Sequence, residues 1–259
     1  MTPTLSFYKS VDDIRMYCEI FSQNANPDAL PPFENERFVT PPERMLILLH
    51  GNGEDGRIFS SQIEDFCREF TVMTVDSRGQ GKTTAGNQPF TVDLLAEDLS
   101  RLCDESGIGR FSLIGFSDGG NVALTYAVRH PERVCALVTA GANLIPQGMK
   151  MSFYLPLLLQ YRAASAKTNH DEESRVRYEL LSLMVNYPHI SHRLLSNIAC
   201  PCLILDGQHD LIKKSHTDSI AASIRNAKRV TVPNAGHNVF GDNAAFVNRE
   251  ILQFLLNVS

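Results

Sequence analysis

The chain reads as an α/β protein: a doubly wound, mostly parallel sheet with a small helical lid. Three observations predict this. Short apolar runs rich in β-branched residues recur from Met45 onward, helical patterns separate them, and one helical stretch interrupts the alternation. The runs are MLILLH, TVMTVD, FSLIGF (Phe111–Phe116), VCALVTAG (Val134–Gly141), CLILDG (Cys202–Gly207) and RVTVPNAG (Arg229–Gly236). Near-continuous apolar strands are buried on both faces, as in a parallel sheet sandwiched by helices.

The intervening segments follow helical spacing. Val92, Leu95, Ala96, Leu99, Leu102 and Cys103 fall on one helix face. Asn121–His130 continues helically and stops before Pro131. Near the end, Val247, Ile251, Phe254 and Leu255 share a face. Residues 145–190 hold two helix-like pieces and no strand: an apolar one around Met149–Leu159 and a mixed one near Glu172–Val185. The expected organisation is a core of residues 1–144 and 191–259, with 145–190 inserted as the lid. Residues 22–44, rich in Pro and Asn, read as a surface excursion.

Composition narrows the function classes. With 259 residues, 43% hydrophobic and 20% charged, the chain has ample material for a core. A formal net charge of -5 gives no electrostatic footprint for nucleic acid. The six cysteines are scattered through apolar runs, which suits reduced thiols. Cys200-Pro-Cys202 lacks a second ligand pair at zinc-like spacing, so no metal is expected. The N-terminus has acids and no apolar core, unlike a signal peptide. The longest apolar run, Phe153–Leu159, falls short of the ~20 residues that span a bilayer and contains Pro156. A cytoplasmic protein is expected, with its oligomeric state open.

The strand FSLIGF runs into Gly115-Phe116-Ser117-Asp118-Gly119-Gly120, and a helix follows. This is G-x-S-x-G in a strand–turn–helix context. A serine at the tip of so sharp a turn leaves no room for a Cβ at the neighbouring glycines. The turn also puts the Asp118 N–H at a helix N-terminus, where it can stabilise an anion. The alternative is an ordinary glycine-rich turn with Ser117 as N-cap. A serine hydroxyl needs a base to become a nucleophile. In this arrangement the partners follow in the order Ser, acid, His. Asp210, in the loop after CLILDG, and His237, after RVTVPNAG, fit that order at strand carboxyl ends. His237 is the expected general base and Asp210 its orienting acid. Asp206 is a rival acid, but it lies within the strand run. Among the other histidines, His130 and His216 read as surface residues at helix ends. His170, His189 and His192 read as solvent residues in or near the lid, and His209 precedes the acid.

One earlier turn is ambiguous. Gly51-x-Gly53-x-x-Gly56 follows a strand, and Asp76 lies about 20 residues further on, as in a dinucleotide-binding fingerprint. Glu54 and Asp55 would put negative charge inside that phosphate turn, which argues against NAD. No cofactor is expected.

Five pieces in order, His50-Gly51-Asn52-Gly53, Asp76–Thr83, Gly115–Gly119, Gly207–Asp210 and Gly236-His237, resemble the α/β-hydrolase family over roughly residues 45–259. The Asp76–Thr83 piece resembles its D-x-R-G-x-G-x-S loop, with Thr83 in the last place. Residues 1–44 fit the resemblance loosely: it implies an opening β-hairpin, and the Pro-rich stretch is atypical of the family. The resemblance also implies that the Asn52 N–H joins the Asp118 N–H in an oxyanion hole. The donors are main chain, so the Asn52 side chain is expected to matter less than the turn. Serine at the elbow argues against the relatives that use an elbow aspartate, the haloalkane dehalogenases and epoxide hydrolases. What remains is acyl chemistry on a small-molecule carboxylic ester. Lactones, thioesters and C–C bonds are open to the same triad, and a non-catalytic receptor is the alternative from another class.

Two features bear on the substrate. The apolar lid residues Met151, Phe153, Tyr154 and Leu157 suggest an acyl or aryl pocket, with Phe153, Tyr154 and Leu157 as binding residues; simple packing on the sheet is the alternative. Ser-Asp-Gly-Gly elbows occur in family members, some of which resemble hydrolases of α-amino esters; the Asp118 carboxylate could pair with a substrate ammonium, or complement the helix dipole.

Overall fold

A computed structural model of the chain describes residues 1–23, the backbone of 33–34 and 37–38, and residues 44–166, 168 and 171–258. Most of the Pro-rich stretch 22–44, and His170, lie outside the described residues.

An antiparallel hairpin opens the chain: β1 (Leu5–Val11) and β2 (Ile14–Phe21), closed by a turn in which Asp12 takes a φ of 48°. β3 (Phe33–Glu34) and β4 (Arg37–Phe38) pair only with each other. From β5 (Met45–Leu49) the alternation begins. α1 (Ser60–Phe66), β6 (Thr71–Val75), α2 (Val92–Glu105), β7 (Phe111–Phe116), α3 (Asp118–Arg129) and β8 (Val134–Ala140) follow. Then come three helices in succession, α4 (Met151–Ser165), α5 (Glu172–Asn186) and α6 (His192–Leu195). The chain finishes with β9 (Cys202–Gly207), α7 (Lys214–Ser223), β10 (Ala227–Val232), α8 (Val239–Asp242) and α9 (Ala244–Val258).

Eight strands form one sheet in the order β1-β2-β6-β5-β7-β8-β9-β10. The hairpin joins antiparallel through β2 and β6, and the remaining pairs are parallel. Strand residues feed two separate apolar layers. Ile47 and Leu113 pack with Leu95, Leu99 and Leu102 of α2, while Leu46, Leu48 and Ile114 pack with Phe66 of α1 and Val247, Ile251 and Leu255 of α9. Helices on both faces are what the apolar strand runs require. The α2 face predicted from spacing is buried in full, and Thr91 starts the helix by accepting the Leu94 N–H at 3.0 Å.

α4 and α5 fill the interval between β8 and β9, where strands are absent among the described residues. They pack on each other through Leu157, Ala164, Leu181 and Val185. No helix among the described residues is long and apolar enough to cross a membrane.

Candidate active site

The parallel strands end on one edge, and the predicted residues meet there. Ser117, between β7 and α3, adopts φ 53° and ψ −119°. Side-chain-bearing residues rarely hold such a conformation, which stores strain until the surroundings fix it. They fix it here by close backbone contact. A Cβ on Gly119 would strike the carbonyls of Leu49 and His50, and one on Gly115 would strike the carbonyl of Gly119. α3 begins at Asp118, whose N–H is among the first-turn donors that lack an intrahelical acceptor.

Ser117 Oγ lies 2.9 Å from His237 Nε2, and His237 Nδ1 lies 2.7 Å from Asp210 Oδ1. A carboxylate can only accept, so Nδ1 carries the proton and Nε2 is free to accept from the serine. Asp210 is itself fixed and buried: Oδ1 also accepts the Ile212 N–H at 3.0 Å, and Oδ2 accepts the Gly207 N–H at 3.2 Å. The loops that carry acid and base touch main chain to main chain. A Cβ on Gly207 would collide with the Gly236 carbonyl, and the His209 N–H donates to the Ala235 carbonyl at 2.8 Å. The rival acid Asp206 instead faces Arg229, with which it forms a 2.5 Å ion pair.

The glycine loop packs beside this relay. His50 donates from Nδ1 to the Gly51 carbonyl at 2.7 Å and accepts the Ser77 N–H on Nε2 at 2.9 Å. Both bonds suit the neutral ring, and burial holds its pKa below the ordinary histidine range. Asp76 accepts the N–H groups of Gly56 (3.0 Å) and Lys82 (2.9 Å), so its carboxylate pins two loops together. The neighbouring Arg78 is fully buried and donates to Asp98 from Nε at 2.8 Å and Nη2 at 2.7 Å, while Nη1 reaches Asp13 at 2.8 Å.

Asn52 corrects one expectation. Its side-chain amide reaches Asp118 Oδ2 and the Leu180 carbonyl of α5, both at 2.8 Å. The side chain thus ties the glycine loop to the elbow and to the inserted helices. Asp118 Oδ1 accepts from Asn121 at 3.2 Å, and Asn121 reaches on to Asn143 at 3.1 Å. Burial pushes the Asp118 carboxyl up, offset in part by the Asn52 bond.

Ser117, Asp118, Asn52 and His237 line a cavity of about 230 Å³ with Glu54, Asn143 and Asn238. Its apolar wall is Met149, Phe153, Met184, Leu211 and Ile212. Of the three predicted binding residues only Phe153 is on that wall among the described residues. Leu157 is buried between α4 and α5 and Tyr154 packs beside it, while Met151 is 53% exposed. α4 has apolar residues on every side, with Ser152, Gln160 and Arg162 scattered among them, so spacing could not say which face meets the site. Sequence reasoning also missed Met184 and Met149, which reach the cavity from the second inserted helix and the turn before the first. It read Glu54 only as an obstacle to phosphate. His216, expected at the surface, accepts the Leu144 N–H at 2.9 Å, and burial lowers its pKa.

The profile of the alpha/beta hydrolase fold family matches residues 44–182, more than half of the chain. This chain belongs to that family. Among curated relatives, the human serine hydrolase BPHL is 26% identical over 206 residues, covering 73% of this chain and 70% of its own length. The 2-hydroxy-6-oxononadienedioate/2-hydroxy-6-oxononatrienedioate hydrolase of Burkholderia vietnamiensis is 29% identical over 252 residues, or 81% of this chain and 86% of that one. Among solved structures, the enol-lactonase of Burkholderia xenovorans superposes with a TM-score of 0.76 at 20% identity, covering 96% and 99% of the two chains. At that identity the superposition speaks for the fold. The relatives and the α/β-hydrolase fold together support a hydrolase.

Proposed function

We propose that this α/β-hydrolase cleaves small carboxylic esters through an acyl-enzyme. The observation that carries the reading is the unbroken relay Ser117 Oγ, His237, Asp210 with its 2.9 and 2.7 Å links. His237 Nε2 takes the Ser117 proton as Oγ bonds to the ester carbon. The carbonyl electron pair moves onto oxygen, where the N–H groups of Asn52 and Asp118 receive it. Collapse expels the alkoxide, which leaves with the proton from His237. Water then repeats the sequence and releases the acid. Asp210 orients the ring and stabilises its charged form. Each oxyanion donor of this kind contributes about 3 kcal/mol to the barrier reduction. In this reading residues 145–190 act as the lid over a core of 1–144 and 191–259.

Cavity size and charge support the substrate class. About 230 Å³ suits a short acyl or aryl group. Two carboxyl groups, Glu54 and Asp118, face it and, among the described residues, no lysine or arginine does. A dianion such as the dioate named for the Burkholderia vietnamiensis relative would meet like charge there. Neutral or amino-bearing esters fit.

The test is covalent labelling. A fluorophosphonate probe should mark the wild type and leave Ser117→Ala unmarked, in step with turnover of short p-nitrophenyl esters. A protein that takes no probe and cleaves no such ester is a receptor on this fold, and the enzyme reading fails.

A further inference from the structure

Two carboxyl groups share the cavity, and they are held differently. Asp118 is 7% exposed, and each of its oxygens already accepts from a side-chain amide, Asn52 on one side and Asn121 on the other. Glu54 is half-buried. Its Oε2 accepts the Gly51 N–H at 3.1 Å, and among the described residues its Oε1 takes no hydrogen bond. That carboxylate also lies close to the nucleophile. A Cβ built on Gly51 would come within 2.8 Å of Glu54 Oε2 and 3.1 Å of Ser117 Cβ, so one methyl-sized position separates the two.

A full negative charge at this point opposes the reaction proposed above. The developing oxyanion would sit beside it in a site from which water is largely displaced, where like charges repel strongly. His237 turns positive in that step, but its charge already faces Asp210, and no lysine or arginine lines the cavity among the described residues. A further countercharge for Glu54 can be carried in by the substrate, the group that enters the cavity.

The geometry points to Glu54 as a specificity-determining residue that selects esters bearing an ammonium group one or two carbons from the scissile carbonyl. The ammonium donates to the open Oε1 and neutralises the carboxylate just as the oxyanion forms. Asp118, with both oxygens engaged, serves to anchor Asn52. This assignment rests on the acyl-enzyme reading. Burial raises the Glu54 pKa, so the charged form, and with it the preference, grows as pH rises through a range above that of an ordinary glutamate.

The experiment compares β-alanyl and propanoyl p-nitrophenyl esters, which differ by one ammonium. Wild type should favour the β-alanyl ester in kcat/KM. Glu54→Gln keeps an oxygen for the Gly51 N–H, and it should lower the ratio of the two rates by about 10–100-fold, the usual range for a hydrogen bond to a charged group. Asp118→Asn should lower both rates together. The wild-type ratio should rise with pH and that of Glu54→Gln should stay flat. An unchanged ratio in Glu54→Gln, or a ratio lost in Asp118→Asn alone, overturns the assignment. Fluorophosphonate labelling of Glu54→Gln keeps the outcomes separate: a variant that labels but shows no change in ratio rejects Glu54, and a wild type that neither labels nor turns over either ester rejects the acyl-enzyme reading itself.

Discussion

Every residue of β5 and β7 is buried, whereas Met151, Leu155 and Leu159 of α4 are each more than half exposed. Both regions are apolar and both border the cavity. The sheet edge is over-determined: strained serine, colliding glycines and a carboxylate with three acceptor contacts leave its atoms little freedom. The inserted pair is held by the seam between its helices, by Leu183 in the main core, and by a few polar links to α5, from Asn52, the Phe90 N–H and the Gly86 carbonyl. In the proposed reaction the chemistry falls where backbone fixes geometry, and substrate fit falls to the part that is free to vary.

Substitutions at the sheet edge should therefore be far more costly to rate than those in the inserted helices. Asp210→Asn puts the His237 proton on the wrong nitrogen, and kcat for a p-nitrophenyl ester should fall by about 10⁴ with little change in KM. A fall under tenfold would place the orienting role elsewhere. Asn52→Ala cuts the link between the glycine loop and α5 while leaving the main-chain donor in place. Its kcat should drop about tenfold in steady-state kinetics, and Asn52→Asp, which cannot donate to the Leu180 carbonyl, should not restore it.

A pH titration sharpens the contrast on the stability side. His50 and His216 are both held below the ordinary histidine pKa of about 6.5, chiefly by burial. The unfolded chain takes up protons that the folded one refuses, so stability is complete above that value and declines as pH falls beneath it. The thermal midpoint should drop between about pH 6.5 and 5, and His216→Gln should flatten the slope. The smallest effect belongs to Leu159→Glu on the exposed face of α4. Melting should stay within about 0.5 kcal/mol of wild type, and ester turnover should be unaltered.

The same contrast explains what could be read from sequence. Strand burial, the α2 face and the elbow were legible because parallel sheets and tight turns permit few residue types. Gly115 and Gly119 announce a backbone constraint by their spacing around Ser117 alone. The cavity wall was not legible. Phe153 and Tyr154 are adjacent apolar residues on a helix without a distinct polar face, and only the packing against α5 decides that one turns to the cavity. The Asn52 bridge depends on the Leu180 carbonyl, more than a hundred residues away, which no local pattern encodes. Glu54 was visible as a charge in a glycine turn, but its meaning needed the position of Ser117.

The contact between Gly207 and Gly236 has a bearing on how such a molecule can diversify. Acid and base are gauged against each other by two peptide chains in direct contact, with no side chain acting as shim. Point substitution therefore has no means of nudging their separation by a few tenths of an ångström: the gauge holds or it breaks. On the proposed mechanism, substrate preference is open to change in the walls of the cavity, while the spacing of acid and base is not.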